Sequence, residues 1–386
     1  MSTAACATEE RRRLWLWLHY GVSGSARQFR QAAARLPELS EAYRLAAHAS
    51  RAAISALPEP VAERLLRAAQ DGFLDRYEAW LAQHGVGVCL LDDEDYPALL
   101  REISDAPPLL FYRGRLRGDM RLPLAVVGSR RCTQYGRDVA QLFAHELAAA
   151  GGTIISGMAE GIDGCAARGA LGCEESPYPT VAVLGSGIDV VYPASHRELY
   201  EQIAARGAVV TEFLPGTRPL RENFPIRNRI ISGMARGVLV VEAGERSGTS
   251  ITAGYALDQG REVFAVPGRI TDLQSVCANR MIQRGEAKPV FCVGDVLEEF
   301  ELADEYDAFA HGVKRIPRSS LQAGERAVCD ALARGERSFD DLAEELSIPV
   351  GELNSLLTGL QFSGIIKPLS GRLYALDALN VALTED

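Results

Sequence analysis

Four stretches of the chain run from apolar residues straight into glycine and polar side chains. They are Gly128-Ser129-Arg130, SGMAEGIDG at 156–164, LGSGIDVVYPASH at 184–196 and EAGERSGTSITAG at 242–254. A glycine lets backbone N–H groups approach an anion closely, and a helix that follows offers its positive N-terminus. With Arg130 these loops compose a phosphate cradle, Gly128 and Gly157 among its candidate glycines. Tight turns alone would explain any one such loop. Four of them, each at the end of an apolar run, favour an anion site.

A second stretch, PGTRPLRENFPIRNRIISG at 215–233, places Arg218, Arg221, Arg227 and Arg229 around Phe224, with Asn228 among them. Guanidinium forks suit backbone phosphates and an aromatic ring suits an unstacked base, which together describe a single-strand groove. The other reading is a solvated arginine face with Phe224 in the core. On the residues alone the two stay open.

Other chemistries lack their residues. Gly185-Ser186-Gly187 continues as Ile188-Asp189-Val190, without the third small residue of a dinucleotide fingerprint, and no G-x-x-x-x-G-K-[ST] supplies a P-loop lysine. The eight cysteines include no C-x-x-C pair, and no H-E-x-x-H occurs. His196 stands at a helix start rather than as a general base. No catalytic residue, metal site or cofactor is expected.

The elements that must position these loops follow from periodicity. From Leu122 onward the apolar segments LPLAVVG, GTIISG, TVAVLG, AVVTEF, GVLVVEAG and EVFAVPG alternate with helical stretches. Strands apolar throughout belong to a parallel sheet covered on both faces, so the fold class is α/β, a doubly wound Rossmann-like parallel sheet. Short strands are also expected over 87–91 and 109–112. Ahead of the sheet, three- and four-residue apolar spacing predicts a small N-terminal helical domain over 1–82, of SAM or helix-hairpin-helix type. The sheet domain spans 83–297, an acidic linker 298–320, and three helices with a hairpin predict a winged-helix module over 321–386. Its second helix opens with Ser338 and Asp341 at capping-box spacing. The LWLWL run after the arginine triplet is too short for a signal sequence, and no segment has the length of a membrane span. The protein reads as cytoplasmic.

Net charge is −10, but it is unevenly spread: −3 over 1–109, +2 over 110–297, −3 over 298–320 and −6 over 321–386. Arginines cluster in the middle, seven against one acid over 113–137 and five against one over 218–236. A phosphate-binding surface needs local positive charge, not a basic whole protein. The winged helix lacks it: its third helix, PVGELNSLLTGLQ, has no lysine or arginine, which favours partner docking or a structural role over DNA reading.

From Tyr96 to Gly285 the chain resembles the DNA-processing protein A (DprA/Smf) family. The resemblance is carried by DDEDYPALL, DAPPLLFYRG, the G-S-R at 128–130, SGMAEGID, GSGIDVVYPASH, EFLPG, FPIRNRIISG, VVEA with SGTSITA, ALDQGREVFAVPG and N-R-M-I. It implies a protein that binds single-stranded DNA as a homodimer, protects it in natural transformation and helps load the RecA recombinase. It also implies that Ser129 and Arg130 grip phosphate, that Phe224, Arg227 and Asn228 contact the strand with Arg218 and Arg221 nearby, and that Ser247, Gly248 and Thr249 form a second phosphate loop. Two rivals share the cradle: a small-nucleotide sensor and a nucleotide phosphoribohydrolase. The latter family carries P-G-G-x-G-T-x-x-E, and here Thr252 stands where its glutamate would be.

Overall fold

The computed structural model describes residues 3–302 and 314–384, apart from 24, 37, 71, 246, 370, 371 and 378–380. It divides into two compact units, 1–299 and 300–386.

The first unit opens with five helices among the described residues: α1 (Thr3–Gly21), α2 (Ala26–Ala33), α3 (Leu39–Ala47), α4 (Glu59–Ala69) and α5 (Phe73–Gln83). The LWLWL run lies in α1, with Leu16, Trp17 and Leu18 buried and the Trp17 indole N–H donating to the Leu65 carbonyl at 2.8 Å. It is a core helix. Two strands come next, β1 (Gly87–Leu90), which forms one edge of the sheet, and β2 (Leu109–Gly114), on either side of the short helix α6 (Ala98–Arg101).

The alternating region then gives β3 (Leu122–Val127), α7 (Gln134–Ala149), β4 (Gly152–Ser156), α8 (Ile162–Gly172), β5 (Thr180–Val183), α9 (Arg197–Arg206) and β6 (Ala208–Thr211). It continues with α10 (Asn223–Gly233), β7 (Gly237–Val240), α11 (Thr249–Asp258), β8 (Glu262–Ala265), α12 (Val276–Gln283), β9 (Lys288–Pro289) and α13 (Val293–Glu298). Every residue of β3 to β7 is buried, as apolar strands covered on both faces must be. Among the described residues the sheet has the order β1-β2-β6-β5-β4-β3-β7-β8-β9. All pairs from β6 to β9 are parallel, whereas β1–β2 and β2–β6 are antiparallel. The strand order reverses at β3: β4, β5 and β6 build outward on one side, β7 and β8 on the other. A crevice must open between the loops leaving β3 and β7, because their connections depart in opposite directions.

The second unit is a winged helix. Strand β10 (Lys314–Pro317) leads into it. Helices Ala323–Ala333, Phe339–Leu346 and Val350–Phe362 pack around Val328, Leu332, Leu342, Leu353 and Leu357. Strands β11 (Arg337–Ser338), β12 (Ile366–Leu369) and β13 (Leu373–Leu376) form an antiparallel sheet with β13 in the middle. The hairpin turn at Ser370-Gly371 lies outside the described residues. Ser338 and Asp341 form the expected capping box, each accepting the other's backbone N–H at 3.1 Å. A last strand, β14 (Val381–Thr384), pairs in parallel with β10. Thus part of the stretch read as an acidic linker is structured: α13 ends at Glu298 and β10 lies within it, while 303–313 fall outside the described residues. Among the described residues no helix is long and apolar enough to cross a membrane.

Candidate nucleic-acid interface

The crevice at the switch point has a volume of about 960 Å³. One wall is the 128–131 loop after β3, another is formed by Gly244, Glu245 and residues 247–252 at the start of α11, and the start of α10 and Tyr192 close it.

The β3 loop is pinned from behind. Ser129 N–H donates to the Glu242 carbonyl at 2.6 Å, and the Ser129 carbonyl accepts from Ile162 N–H at 3.2 Å. A Cβ at Gly128 would lie 2.5 Å from the Ile162 side chain and 2.8 Å from the Glu242 carbonyl, so only glycine fits where the loop threads between α8 and β7. The pinning leaves the Arg130 side chain exposed.

Not every helix N-terminus faces the crevice as an anion site. The Glu242 carboxylate already occupies the start of α7, accepting from Thr133 N–H at 2.8 Å and from the Thr133 hydroxyl at 2.5 Å. Asp163 does the same for the 156–164 loop, accepting from Gly157 N–H at 2.9 Å. Burial pushes the Asp163 carboxyl up, and the nearby positive charge of Arg227 opposes that shift. What remains for a ligand is the β3 loop and the start of α11. There Ser247 accepts from Thr249 N–H at 3.2 Å, and the N–H groups of Arg130 and Gly248 have no partner among the described residues.

The arginine block separates into three kinds. Arg221 is exposed and lines the crevice, while Arg218 is exposed on the approach to it without lining it. Arg227 is 3% exposed, and its Nη1 donates to the Gly157 carbonyl at 2.9 Å and to the Val183 carbonyl. It forms the crevice floor rather than a free phosphate fork. Burial lowers its pKa to about 10, so it remains a cation at neutral pH. Arg229 is not at the crevice: its Nη2 pairs with Glu212 at 2.6 Å and its Nε with Asp105 at 3.0 Å, buried on another side of α10. Two residues along a helix turn a side chain by about 200°, so Arg227 and Arg229 cannot share a face.

Phe224 combines the two readings left open for it. The ring is half-buried against Gly185, where a Cβ would stand 2.8 Å from it, yet it also lines the crevice. The Arg130 guanidinium lies 5.0 Å from its centroid and that of Arg227 5.9 Å, both within cation–π range.

Of the residues singled out from the sequence, the crevice brings together Gly128, Ser129, Arg130, Arg221, Phe224, Arg227, Asn228, Ser247, Gly248 and Thr249. Gly157, Arg218 and Arg229 are not among its lining. Arg131, Asp163 and Tyr192 line it without having been singled out. Arg131 stood in plain view beside Arg130. Asp163 and Tyr192 sat inside loops chosen for their glycines. His196 is buried, with Nδ1 3.1 Å from the Met158 carbonyl, at the turn that starts α9.

A doubly wound sheet with an arginine-lined crevice at its switch point defines a Rossmann-like α/β protein. The chain belongs to the DNA-processing protein A (DprA/Smf) family: the family model described as DNA recombination-mediator protein A matches residues 87–301, and the DprA winged helix domain matches 315–372. It is 45% identical over 214 residues to DNA processing protein DprA of Streptococcus pneumoniae, covering 54% of this chain and 72% of that one. It is 37% identical over 301 residues to protein Smf of Escherichia coli, covering 76% and 78%. The crystal structure of the S. pneumoniae protein superposes with a TM-score of 0.61 at 34% identity, over 75% of this chain and 97% of that one.

Proposed function

We propose that the crevice binds single-stranded DNA and that the protein protects the strand and delivers it to the RecA recombinase, as a cytoplasmic homodimer acting in recombination and natural transformation. The observation that carries the strand-binding step is charge without a partner. Arg130, Arg131, Arg218 and Arg221 are exposed in or beside the crevice and form no ion pair among the described residues. Arg113 and Arg261, elsewhere on the domain, each face a carboxylate, while Arg168, Arg197 and Arg269 stand exposed without an ion pair among the described residues. What sets the crevice apart is that several such arginines gather around one aromatic ring. Unneutralised guanidinium groups beside an aromatic ring suit a polyanion with planar bases. Family membership supports the recombination role. The winged helix, net −6, serves as a docking or structural module rather than a second DNA reader.

The role is that of a binder and not an enzyme. Thr252 lines the crevice where a phosphoribohydrolase would need its glutamate, and a threonine supplies no carboxylate for acid–base work. Titration of labelled oligothymidine against duplex and free nucleotides tests the proposal, with light scattering to read stoichiometry. Tight strand binding and weak nucleotide binding are expected. Binding of mononucleotide alone, or release of free base from nucleoside monophosphates, would overturn it.

A further inference from the structure

We infer that Tyr192 is a base-stacking residue, and that with Phe224 it forms a two-ring ledge which splays successive bases of a strand. The inference rests on the single-strand reading of the crevice and adds to it the residue that takes the base and the reason a duplex is refused.

Phe224 alone offers only a partial plate: it is half-buried, Gly185 backs it, and the Arg130 and Arg227 guanidinium groups lie 5.0 and 5.9 Å from its centroid. Tyr192 is the open ring: it lines the same crevice, is 41% exposed, and its hydroxyl has no hydrogen-bond partner among the described residues. A tyrosine kept for packing buries its ring and pairs its hydroxyl. Here the ring stands at the wall of a crevice lined also by Arg130, Arg131 and Arg221. Phosphates held by those cations leave the bases to find planar apolar surface, and the two rings provide it.

The two ring centroids are 5.5 Å apart and their planes are inclined by 43°. Bases lying flat on both rings are inclined by the same angle, so the stack between them opens. A flexible single strand accepts that bend at little cost. A duplex has to unstack a step and strain its pairing to comply, and so is disfavoured without any group that repels it.

The test compares the full chain with its Tyr192→Ala, Tyr192→Phe and Arg130→Ala variants. Each binds an oligothymidine strand and an abasic strand of the same length, which carries the same phosphates. Tyr192→Ala should weaken oligothymidine binding roughly five- to a hundred-and-forty-fold, the range for losing one base–aromatic stack. Abasic binding and the salt dependence should stay unchanged, and Tyr192→Phe should restore the affinity. Arg130→Ala should weaken both strands alike. If Tyr192→Ala leaves oligothymidine affinity intact, or weakens both strands equally, the ledge is wrong while the single-strand reading stands. If the unmodified protein binds neither strand, that reading falls and the ledge falls with it.

Discussion

Arg227 and Arg229 stand two residues apart on α10 and are buried toward different partners. Arg227 donates to the carbonyls of Gly157 and Val183 under the crevice, and Arg229 is clasped by Glu212 and Asp105. One helix thereby carries the crevice floor on one side and a buried ion cluster on another, and variants of the two arginines should be distinguishable by what they damage.

Arg229→Met should act on stability and not on DNA. It strips the counter-charge from Glu212, which is 2% exposed. Burial already raises that carboxyl to about 7, so without Arg229 it holds a proton, and the cost is that of a buried polar group left without its partner, about 1–3 kcal/mol. Urea titration should show the midpoint falling. The salt dependence of oligothymidine binding by the folded fraction should match the unmodified protein, because no phosphate ligand is removed. A flattened salt dependence would place Arg229 on the DNA.

Arg130→Ala and Arg221→Ala should do the reverse. Both side chains are exposed and line the crevice, so their removal should leave the melting temperature almost unchanged. Removing a side chain that neutralises one phosphate should reduce the slope of log K against log salt by about 0.7 for a single strand. Equilibrium binding across a salt series reads both the affinity and the slope. An unchanged slope for both variants would move the strand away from this wall.

Gly157→Ala tests the floor. The added methyl would sit 2.5 Å from the Arg227 guanidinium, and that group cannot swing aside without abandoning the Gly157 and Val183 carbonyls deep in the core. Overpacking of this kind costs about 1–3 kcal/mol. The expected outcome is a lower melting temperature together with weaker strand binding, since the floor carries Phe224. A variant as stable as the parent would mean that Arg227 is free to relocate.

Most of the fold was legible because β3 to β8 are short apolar runs separated by amphipathic helices, and that alternation packs as a parallel sheet with helices on both faces. The direction of β1 and β2 was not. Strands of four and six residues with buried apolar side chains look alike whether they pair parallel or antiparallel. The parallel pairing of β10 with β14 was hidden for another reason: its strands are far apart in the chain and contain no hairpin signal. At the site, the glycine loops were readable from their position after apolar strands. The fate of each arginine was not. Arg227 and Arg229 differ only in which side of α10 they occupy, and that is fixed by how the helix lies on the sheet. Tyr192 escaped notice because nothing in its local sequence says that Phe224, 32 residues on, will be its neighbour.

Two buried groups, His19 and Glu212, tie the stability of the protein to pH. His19 on α1 is fully buried, edge-on to Phe111 at 5.7 Å, and burial pushes its pKa from 6.5 down to about 3. A folded-state pKa below the unfolded value means the unfolded chain binds the extra proton. The stability His19 contributes is therefore complete above pH 6.5 and declines as pH falls toward 3. Glu212 works in the opposite sense. Burial raises it from 4.5 to about 7 against the pull of Arg229, so the folded state holds the proton and stability declines as pH rises between those values. The two slopes offset each other between pH 4.5 and 6.5, where the unmodified protein should show little pH dependence from this pair. His19→Met keeps the volume and removes one slope. In urea titrations its stability relative to the parent should improve steadily as pH is lowered from 6.5 toward 4.5, by at most about 1.4 kcal/mol per pH unit. Above pH 6.5 the difference should be constant. A difference that stays constant throughout would mean that His19 is protonated in the folded protein and has found a partner.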